Sequence, residues 1–449
     1  MAPHRRLLLQ QLPADVLLHV LSFLPPADKL AVRACCRHFR QLADSRRLWR
    51  GHTARLRFGR GRRRYDAHFW AGLARRGVRS AVVQVQDQVQ GATETHWKQL
   101  AAALPSLSAL AVDGGIRDCE DHLDRFPNLS CLALRGSPPR GRAPKDLMGA
   151  LRVADPERVT RIGLCDVSFR AHADLPAFLA RFANLTWFSY HPSGPDPRDA
   201  FGRVVAGLPK LRHLSWAVRP FSKYASGPGP GGGGTGSGET VNRTLTSLEL
   251  VVYDDSGLAH DATRPLTRLR SLAVVYMDAH VHQGGRLNTW LDHAPHLSTL
   301  VVHGGPAPRD YARSIPPTVR GLTVRAGRLT AADLAAVGAQ VPGLVHLEVD
   351  PWPPAAGPVA ARFFPALQSV HLRLWQIPEE DLDFLDLGRF QSLRRVEVEV
   401  ADAEEPPRLS ELRRRLQTLT GDRVRVLAAP RPRRDPMACC HQQVHQSQD

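Results

Sequence analysis

PSLSALAV at 105–112, PNLSCLAL at 127–134 and PHLSTLVV at 295–302 share one pattern: an apolar residue, two others, an apolar residue, one other, and a final apolar residue. It returns as ERVTRIGL (157–164), ANLTWFSY (183–190), PKLRHLSW (209–216), RTLTSLEL (243–250), TRLRSLAV (267–274) and PTVRGLTV (317–324). PGLVHLEV (342–349), PALQSVHL (365–372) and QSLRRVEV (391–398) bring the number to twelve, and RVRVL (423–427) reads as a closing strand. From Leu107 to Leu393 the units recur on average every 26 residues or about that. The last two apolar positions of a unit, such as Leu110 and Val112, are two apart and face one side of a strand. The chain between units must therefore return over that side. ETHWKQLAAAL (94–104), DLPAFLARF (174–182), DAFGRVVAGL (199–208), TAADLAAVGAQV (330–341) and EEDLDFLDL (379–387) read as helical returns, and Thr330 with Asp333 forms a capping-box start.

This period and core pattern resemble leucine-rich repeats. The resemblance implies an α/β solenoid, with parallel strands on the concave face, over residues 78–428. The asparagine usual after the third apolar position is missing: Gly115, Ser137, Gly305, Gly327 and Trp352 stand there, so an irregular array is expected. SPPRGRAPKD (137–146) lengthens one interval, and SGPGPGGGGTGSG (226–238) is a disordered loop by composition.

Residues 10–50 follow another rule. Leu12-Pro13 precedes Val16, Leu17, Val20, Leu21 and Leu24 at helical spacing, and Pro25-Pro26 stops that helix. Asp28 then sits where an N-cap is expected, and Leu30, Val32, Cys35, Cys36 and Phe39 give the next face before a third segment closes at Leu48-Trp49. Three short helices make a small core, which predicts a partner completing the burial. The order Leu12-Pro13, Asp15, Leu17, Val20, Leu24, Pro25, Asp28, Leu30, Cys36-Arg37, Phe39, Leu48-Trp49 is similar to the F-box. The family more often has Glu at the Asp15 position and Trp at that of Phe39; both replacements keep the chemistry. The chain is thus identified as a member of the leucine-rich-repeat class of F-box proteins, with the F-box at 8–50.

That resemblance implies the substrate receptor of a Skp–cullin–F-box ubiquitin ligase, docking the Skp adaptor and, through it, cullin and RING subunits. Leu12, Pro13, Leu17, Val20, Leu24, Leu30, Phe39, Leu48 and Trp49 are the expected adaptor-binding residues. An unidentified protein substrate would bind the outward positions of the strands, for which Trp187, His191, His213, Arg325, His346, His371 and Arg373 are the candidates. The alternatives are an F-box scaffold or decoy, and an arginine-rich nucleic-acid-associated repeat protein.

The net charge of +17 raises the last of these, but its distribution weakens it. Residues 1–80 carry 18 Lys and Arg against four Asp and Glu, whereas the rest carries 42 against 39. The stretch RLWRGHTARLRFGRGRRRYDAHFW (47–70) is read as a solvated junction over 51–77, or else as a nuclear-localisation signal or a nucleic-acid contact with Phe58 and Tyr65 stacking. Nucleic acid is therefore not the expected partner.

No run reaches the roughly 20 apolar residues a membrane helix needs, and no secretory leader is evident. The seven cysteines lack a disulfide framework or a zinc spacing. Cys439, Cys440, His441 and His445 lie in a tail, 429–449, read as disordered, so no metal or other cofactor is expected. No phosphate-binding loop, nucleophile elbow or HExxH appears, so the chain is expected to catalyse nothing itself. Its expected place is the cytoplasm, the nucleus, or both.

Overall fold

The computed structural model describes residues 12–59, 65–85, 94–114, 119–136, 155–167, 175–192, 200–219, 242–254, 258, 261–277, 286–353, 356–373, 387–400, 407–421 and 423–430. The Gly-rich stretch 226–238, the insert 137–146, the return 379–386 and the tail from 431 lie outside the described residues. Two compact units divide the chain, one built on Met1–Ser168 and one on Phe169–Asp435.

The first unit opens with α1 (Ala14–Ser22), α2 (Pro26–Cys35) and α3 (Arg37–Ala43), closed by a 3-10 turn at Arg46–Leu48. Pro26 starts α2 at a position where its missing N–H costs nothing, so Pro25 takes the cap position. Asp28, expected as the cap, instead lies in the first turn, where its charge faces the positive end of the helix dipole. Leu17, Leu21, Leu42, Ala43, Leu48 and Trp49 fill the centre of the trio, and Trp49 Nε1 donates to the Ala43 carbonyl at 2.6 Å.

Repeats begin earlier than the sequence pattern showed. The stretch 51–77, expected as a basic junction, contains β1 (Thr53–Phe58) and α4 (Ala67–Arg76). It is the first strand–helix unit of the array, so the array starts at Thr53 rather than at residue 78. β2 (Ser80–Val85), α5 (Glu94–Ala103), β3 (Ala109–Asp113), β4 (Cys131–Arg135) and β5 (Arg161–Val167) follow. These strands pair parallel in chain order, with Leu110 beside Leu132 and Leu132 beside Ile162. Phe58 is buried and stacks on His96 at 4.7 Å; Tyr65 stacks on Phe69 and accepts the Arg57 amide at 2.8 Å. The ring of Phe58, which the sequence offered to nucleic acid, is therefore spent on the chain's own core, and Tyr65 caps an amide of the first strand. Burial keeps the His96 imidazole below its usual pKa, so that it packs as a neutral ring.

The second unit continues the plan with β6 (Trp187–Pro192), β7 (His213–Val218), β8 (Ser247–Val252), β9 (Ser271–Tyr276) and β10 (Thr299–His303). β11 (Gly321–Arg325), β12 (His346–Asp350), β13 (Ser369–Arg373), β14 (Arg395–Val400) and β15 (Arg425–Pro430) complete it. All of these pair parallel with their chain neighbours. Helices Leu175–Leu179, Ala200–Gly207, Arg286–Asp292, Pro308–Tyr311, Ala331–Gln340, Ala356–Phe363 and Pro407–Thr420 make the returns. The Thr330–Asp333 capping box forms as expected, Thr330 Oγ1 accepting the Asp333 amide at 3.2 Å and Asp333 Oδ2 accepting the Thr330 amide at 2.9 Å. In that helix a Cβ on Gly338 would come 2.5 Å from Cβ of Phe363, so the bare backbone is what lets the next return pack closely. Each unit is an α/β solenoid.

Backbone amides join successive repeats at the strand ends. Just before most strands, one carbonyl accepts two consecutive amides of the next repeat: Arg270 O takes those of Ser298 and Thr299 at 2.8 and 3.0 Å. Ser298 O then takes Arg320 and Gly321, Arg320 O takes Val345 and His346, and Val345 O takes Gln368 and Ser369. The first unit repeats the arrangement from Arg79 O to Ser108 and Ala109. After the strands, Gly304 N bonds Arg325 O and Ala326 N bonds Asp350 O. Gly305 has φ of 79°, and a Cβ there would lie 2.4 Å from the Tyr276 ring, so this turn requires glycine. Trp352, at another expected asparagine position, is buried.

One carboxylate braces the helical trio onto the first repeat. Asp44, just past α3, receives Arg33 of α2 at 2.9 Å and Arg75 and Arg76 of α4 at 3.2 Å each. Arg76 also lies over the Trp49 ring, 4.7 Å from its centroid. Burial pushes the Asp44 carboxyl upward, but Arg33 and Arg76 outweigh it, leaving its pKa below the ordinary 3.8. A lowered folded-state pKa means this stabilisation is complete above pH 3.8 and is lost as the pH falls through the folded value. Asp44→Asn should destabilise the first unit by about 2–3 kcal/mol at pH 7, the scale of hydrogen bonds to charged groups. Denaturation of both proteins across pH checks this, with the difference shrinking below pH 3.8.

Candidate functional site

Two surfaces stand apart from the rest. The first is on the helical trio. Seven large apolar side chains are exposed among the described residues, and four of them, Val16, Val20, Phe23 and Leu30, lie on α1, its C-terminal cap and α2. Phe23 is the extreme, 73% exposed, with its ring edge-on to His19 at 4.8 Å. Such a cluster within 15 residues marks a protein-binding face.

Of the expected adaptor-binding residues, Pro13, Val20 and Leu30 are exposed, and Leu12, Leu24 and Phe39 are half-buried. Leu17, Leu48 and Trp49 are not available to a partner, because the trio needs them for its own small core. Their place on the face is taken by Val16 and Phe23. Phe23, the residue on which α1 ends, stands three residues after Val20 and seven after Val16 and so continues their exposed face, turned away from buried Leu17 and Leu21.

The second surface is the row of outward positions on β6–β15. Trp187 and His213 are register partners on β6 and β7, half-buried and exposed respectively. His191 occupies an outward strand position but is fully buried there, and its Nε2 lies 2.9 Å from Ser215 Oγ. Ser215 Oγ donates its only proton to Glu249 Oε2 at 2.6 Å. The hydroxyl can then only accept from His191, so the imidazole is not placed to take a proton from it, and the chain of three is a polar strut between β6, β7 and β8.

From β11 to β14 the outward positions carry alternating charge. Arg325 Nε bonds Glu348 Oε1 at 3.0 Å, and His371 Nδ1 lies 3.8 Å from Glu348 Oε2. One register row further along, Arg373 bridges Asp350 and Glu399, both at 3.0 Å. Arg395 pairs with Glu397. Arg373 is buried, so it is a strut and not a free anchor; Arg325 and His371 are half-buried and His346 is exposed. The structure thus gathers Arg325, His346, His371 and Arg373 on adjacent strands. It sets Trp187, His191 and His213 apart, on β6 and β7.

Among the described residues no helix is long and apolar enough to cross a membrane, and no group of His, Cys, Asp or Glu could hold a metal. The cysteines and histidines at 439–445 lie outside those residues.

In sequence, residues 9–55 match the F-box-like family. No curated protein matches the chain. Among solved structures, it is similar to the leucine-rich repeat-containing protein LegL7 of Legionella pneumophila, at 17% identity and a TM-score of 0.41 over 64% of this chain and 98% of that one. The Rad7 and Elc1 complex in yeast gives 12% and 0.39 over 96% and 92%, and the TLR13–ssRNA13 complex 12% and 0.38 over 80% and 52%.

Truncating Arg373 would remove a charged partner from each of two buried carboxylates, whereas truncating partly exposed Arg325 frees only partly solvated groups. Arg373→Ala should cost about 3 kcal/mol or more. Arg325→Ala should cost about 1 kcal/mol or less. Hydrogen exchange over β12–β14 distinguishes them: only Arg373→Ala should speed exchange across those three strands.

Proposed function

We propose, from an F-box-like domain joined to a leucine-rich-repeat solenoid in one chain, that the protein is the substrate receptor of a Skp–cullin–F-box ubiquitin ligase. The observation that carries this reading is the exposed apolar face of Val16, Val20, Phe23 and Leu30, which lies wholly within the stretch matching the F-box-like family. A small core that leaves such side chains in water gains from a partner groove about 1.5–3 kcal/mol for each aliphatic side chain fully buried, before ordering costs. The Skp adaptor supplies that groove and links the chain to the cullin and RING subunits. Its proposed location is the cytoplasm, the nucleus, or both.

Repeat strands present rows of outward side chains, a geometry suited to a protein target. Trp187 with His213, and the rows around His346 and His371, are the positions offered to it. The receptor carries out no bond chemistry itself. It holds a target near the charged conjugating enzyme and so raises the effective concentration of the acceptor amine.

Val20→Asp combined with Phe23→Asp places two charges on the apolar face without touching Leu17, Leu21 or Trp49. This variant should keep the wild-type melting profile and lose at least about 100-fold in adaptor affinity, measured by calorimetry or co-purification, as expected for two interface anchors. The Leu12→Ala, Pro13→Ala double variant should weaken the same interaction. Adaptor recovery unchanged by both would reject the assignment.

A further inference from the structure

Charge in the second unit is unevenly shared between the two ends of its strands. Each strand from β6 to β14 is entered through five residues ending on its own first residue, from 183–187 to 391–395. The chain beyond residue 80 has 39 acidic residues, yet none falls in these nine turns, which carry eight Lys and Arg. Acidic groups lie instead toward the far ends, as Asp254, Asp350 and Glu399 do. Five of the eight cations, Lys210, Arg212, Arg243, Arg268 and Arg270, belong to the successive turns into β7, β8 and β9, and all five are exposed. Lys210 holds Asn184 at 2.7 Å, whereas among the described residues the four arginine side chains have no hydrogen bond or ion pair. The rows on β11–β14 differ, since there arginines and carboxylates neutralise one another.

Backbone bonds hold these turns in line. Arg212 O accepts the amides of Thr246 and Ser247, Thr246 O those of Arg270 and Ser271, Arg270 O that of Ser298 and Ser298 O that of Arg320, all at 2.8–3.0 Å. Arg212, Arg270 and Arg320 therefore stand on every second turn, about 10 Å apart at the spacing of neighbouring strands. Between them, the hydroxyls of Thr246 and Ser298 donate to Arg212 O and Arg270 O at 3.2 and 3.0 Å. Those protons are spent, so the guanidiniums are the donors of the row. Arg320 gives one of its N–H groups to Gly343 O and keeps the others.

A row of single cations selects among anions. An extended peptide advances about 10 Å in three residues, so carboxylates at every third position match the arginine spacing. A phosphate is held best by several donors converging on one point. Single-stranded nucleic acid adds stacking on aromatic rings, and apart from histidines Trp187 is the one aromatic residue in the nine turns. With no acid among them, the cations of β7–β9 reinforce one another within the Debye length of about 8 Å and attract an anion before contact.

We propose that the edge formed by Lys210, Arg212, Arg243, Arg268 and Arg270 docks an extended Asp- and Glu-rich segment of the protein target. The inference rests on the receptor reading above and gives the chemical class of the segment recognised. It places that contact at the entry ends of β7–β9, beside the exposed His213, and not over the paired rows of β11–β14.

The test titrates the full chain, prepared with its adaptor, into a fluorescein-labelled peptide of about 12 residues, long enough when extended to run from β7 past β11. The peptide carries Glu at every third position among Gly and Ser. Its Gln counterpart, a phosphoserine peptide of equal net charge and a single-stranded RNA of similar length are the comparisons. Gel filtration of the same sample reads adaptor binding; absence of the adaptor there would overturn the receptor reading, whereas the titrations bear on the edge. The Glu peptide should bind about ten-fold or more tightly than the Gln peptide, and less tightly as salt is raised. Arg212→Glu with Arg270→Glu removes no side-chain hydrogen bond and should keep the melting profile and the adaptor. It should weaken Glu-peptide binding about ten-fold or more. Arg313→Glu with Arg328→Glu makes the same change in net charge at exposed positions off this edge and should weaken binding less than about two-fold. Equal binding of the Glu and Gln peptides, equal loss in the two variants, or tighter capture of the RNA or the phosphoserine peptide by about ten-fold would overturn the inference and leave the receptor reading in place.

Discussion

A single hydrogen-bonding constraint underlies the repeat units. Every buried amide and carbonyl must find a partner, and a strand–return unit leaves unpaired groups at the turn where the return meets the next strand. In most of the described repeats one carbonyl accepts two successive amides of its neighbour, as Arg270 O does for Ser298 and Thr299. Because the bond is made by backbone, it sets no side-chain requirement at the turn. Side-chain hydroxyls add to the same acceptors where they occur, as Ser298 Oγ does to Arg270 O at 3.0 Å.

Legibility in the sequence followed from how each residue's role depends on its neighbours. The leucine-rich units were readable because their apolar residues face one core, so spacing alone reports orientation; Leu300, Leu322 and Leu347 stand in register as the spacing implies. The first repeat was not readable, because β1 presents RLRF within an arginine-rich stretch and its burial is shared with Tyr65, Phe69 and His96, which no local period announces. On the helical trio the helices and their order were legible, but not the direction of each side chain. Trp49 is an aromatic near the end of the domain whether it faces in or out; the 2.6 Å bond to Ala43 O is a tertiary fact. Phe23 shares the helical phase of Val16 and Val20, but α1 ends on it, so no residue beyond it marks that face in the sequence. His191 was expected to face outward by strand alternation and does occupy such a position, but it is spent on Ser215.

The same chain handles exposed apolar area and exposed charge in opposite ways. On the trio, apolar side chains are left in water within a domain whose own core is complete at Leu17, Leu21, Leu42 and Trp49. On the strands from β11 to β14, charges are abundant but satisfied by one another. Asp44 belongs to a third category: a single carboxylate whose three arginines come from two different structural modules. It makes the trio and the first repeat one folded body, which a flexible junction between them would not.

The paired rows on β11–β14 have a kinetic consequence. Opposite charges separated by about 3 Å cancel within a few ångströms of the surface, far inside the Debye length of about 8 Å at physiological salt. A partner approaching this face would feel little long-range field, so charge would neither hasten encounter nor reject mismatched molecules at a distance. Discrimination there would fall to the short-range stage, through shape and the exchange of existing ion pairs for new ones. Its signature would reside in the lifetime of the complex more than in its rate of formation.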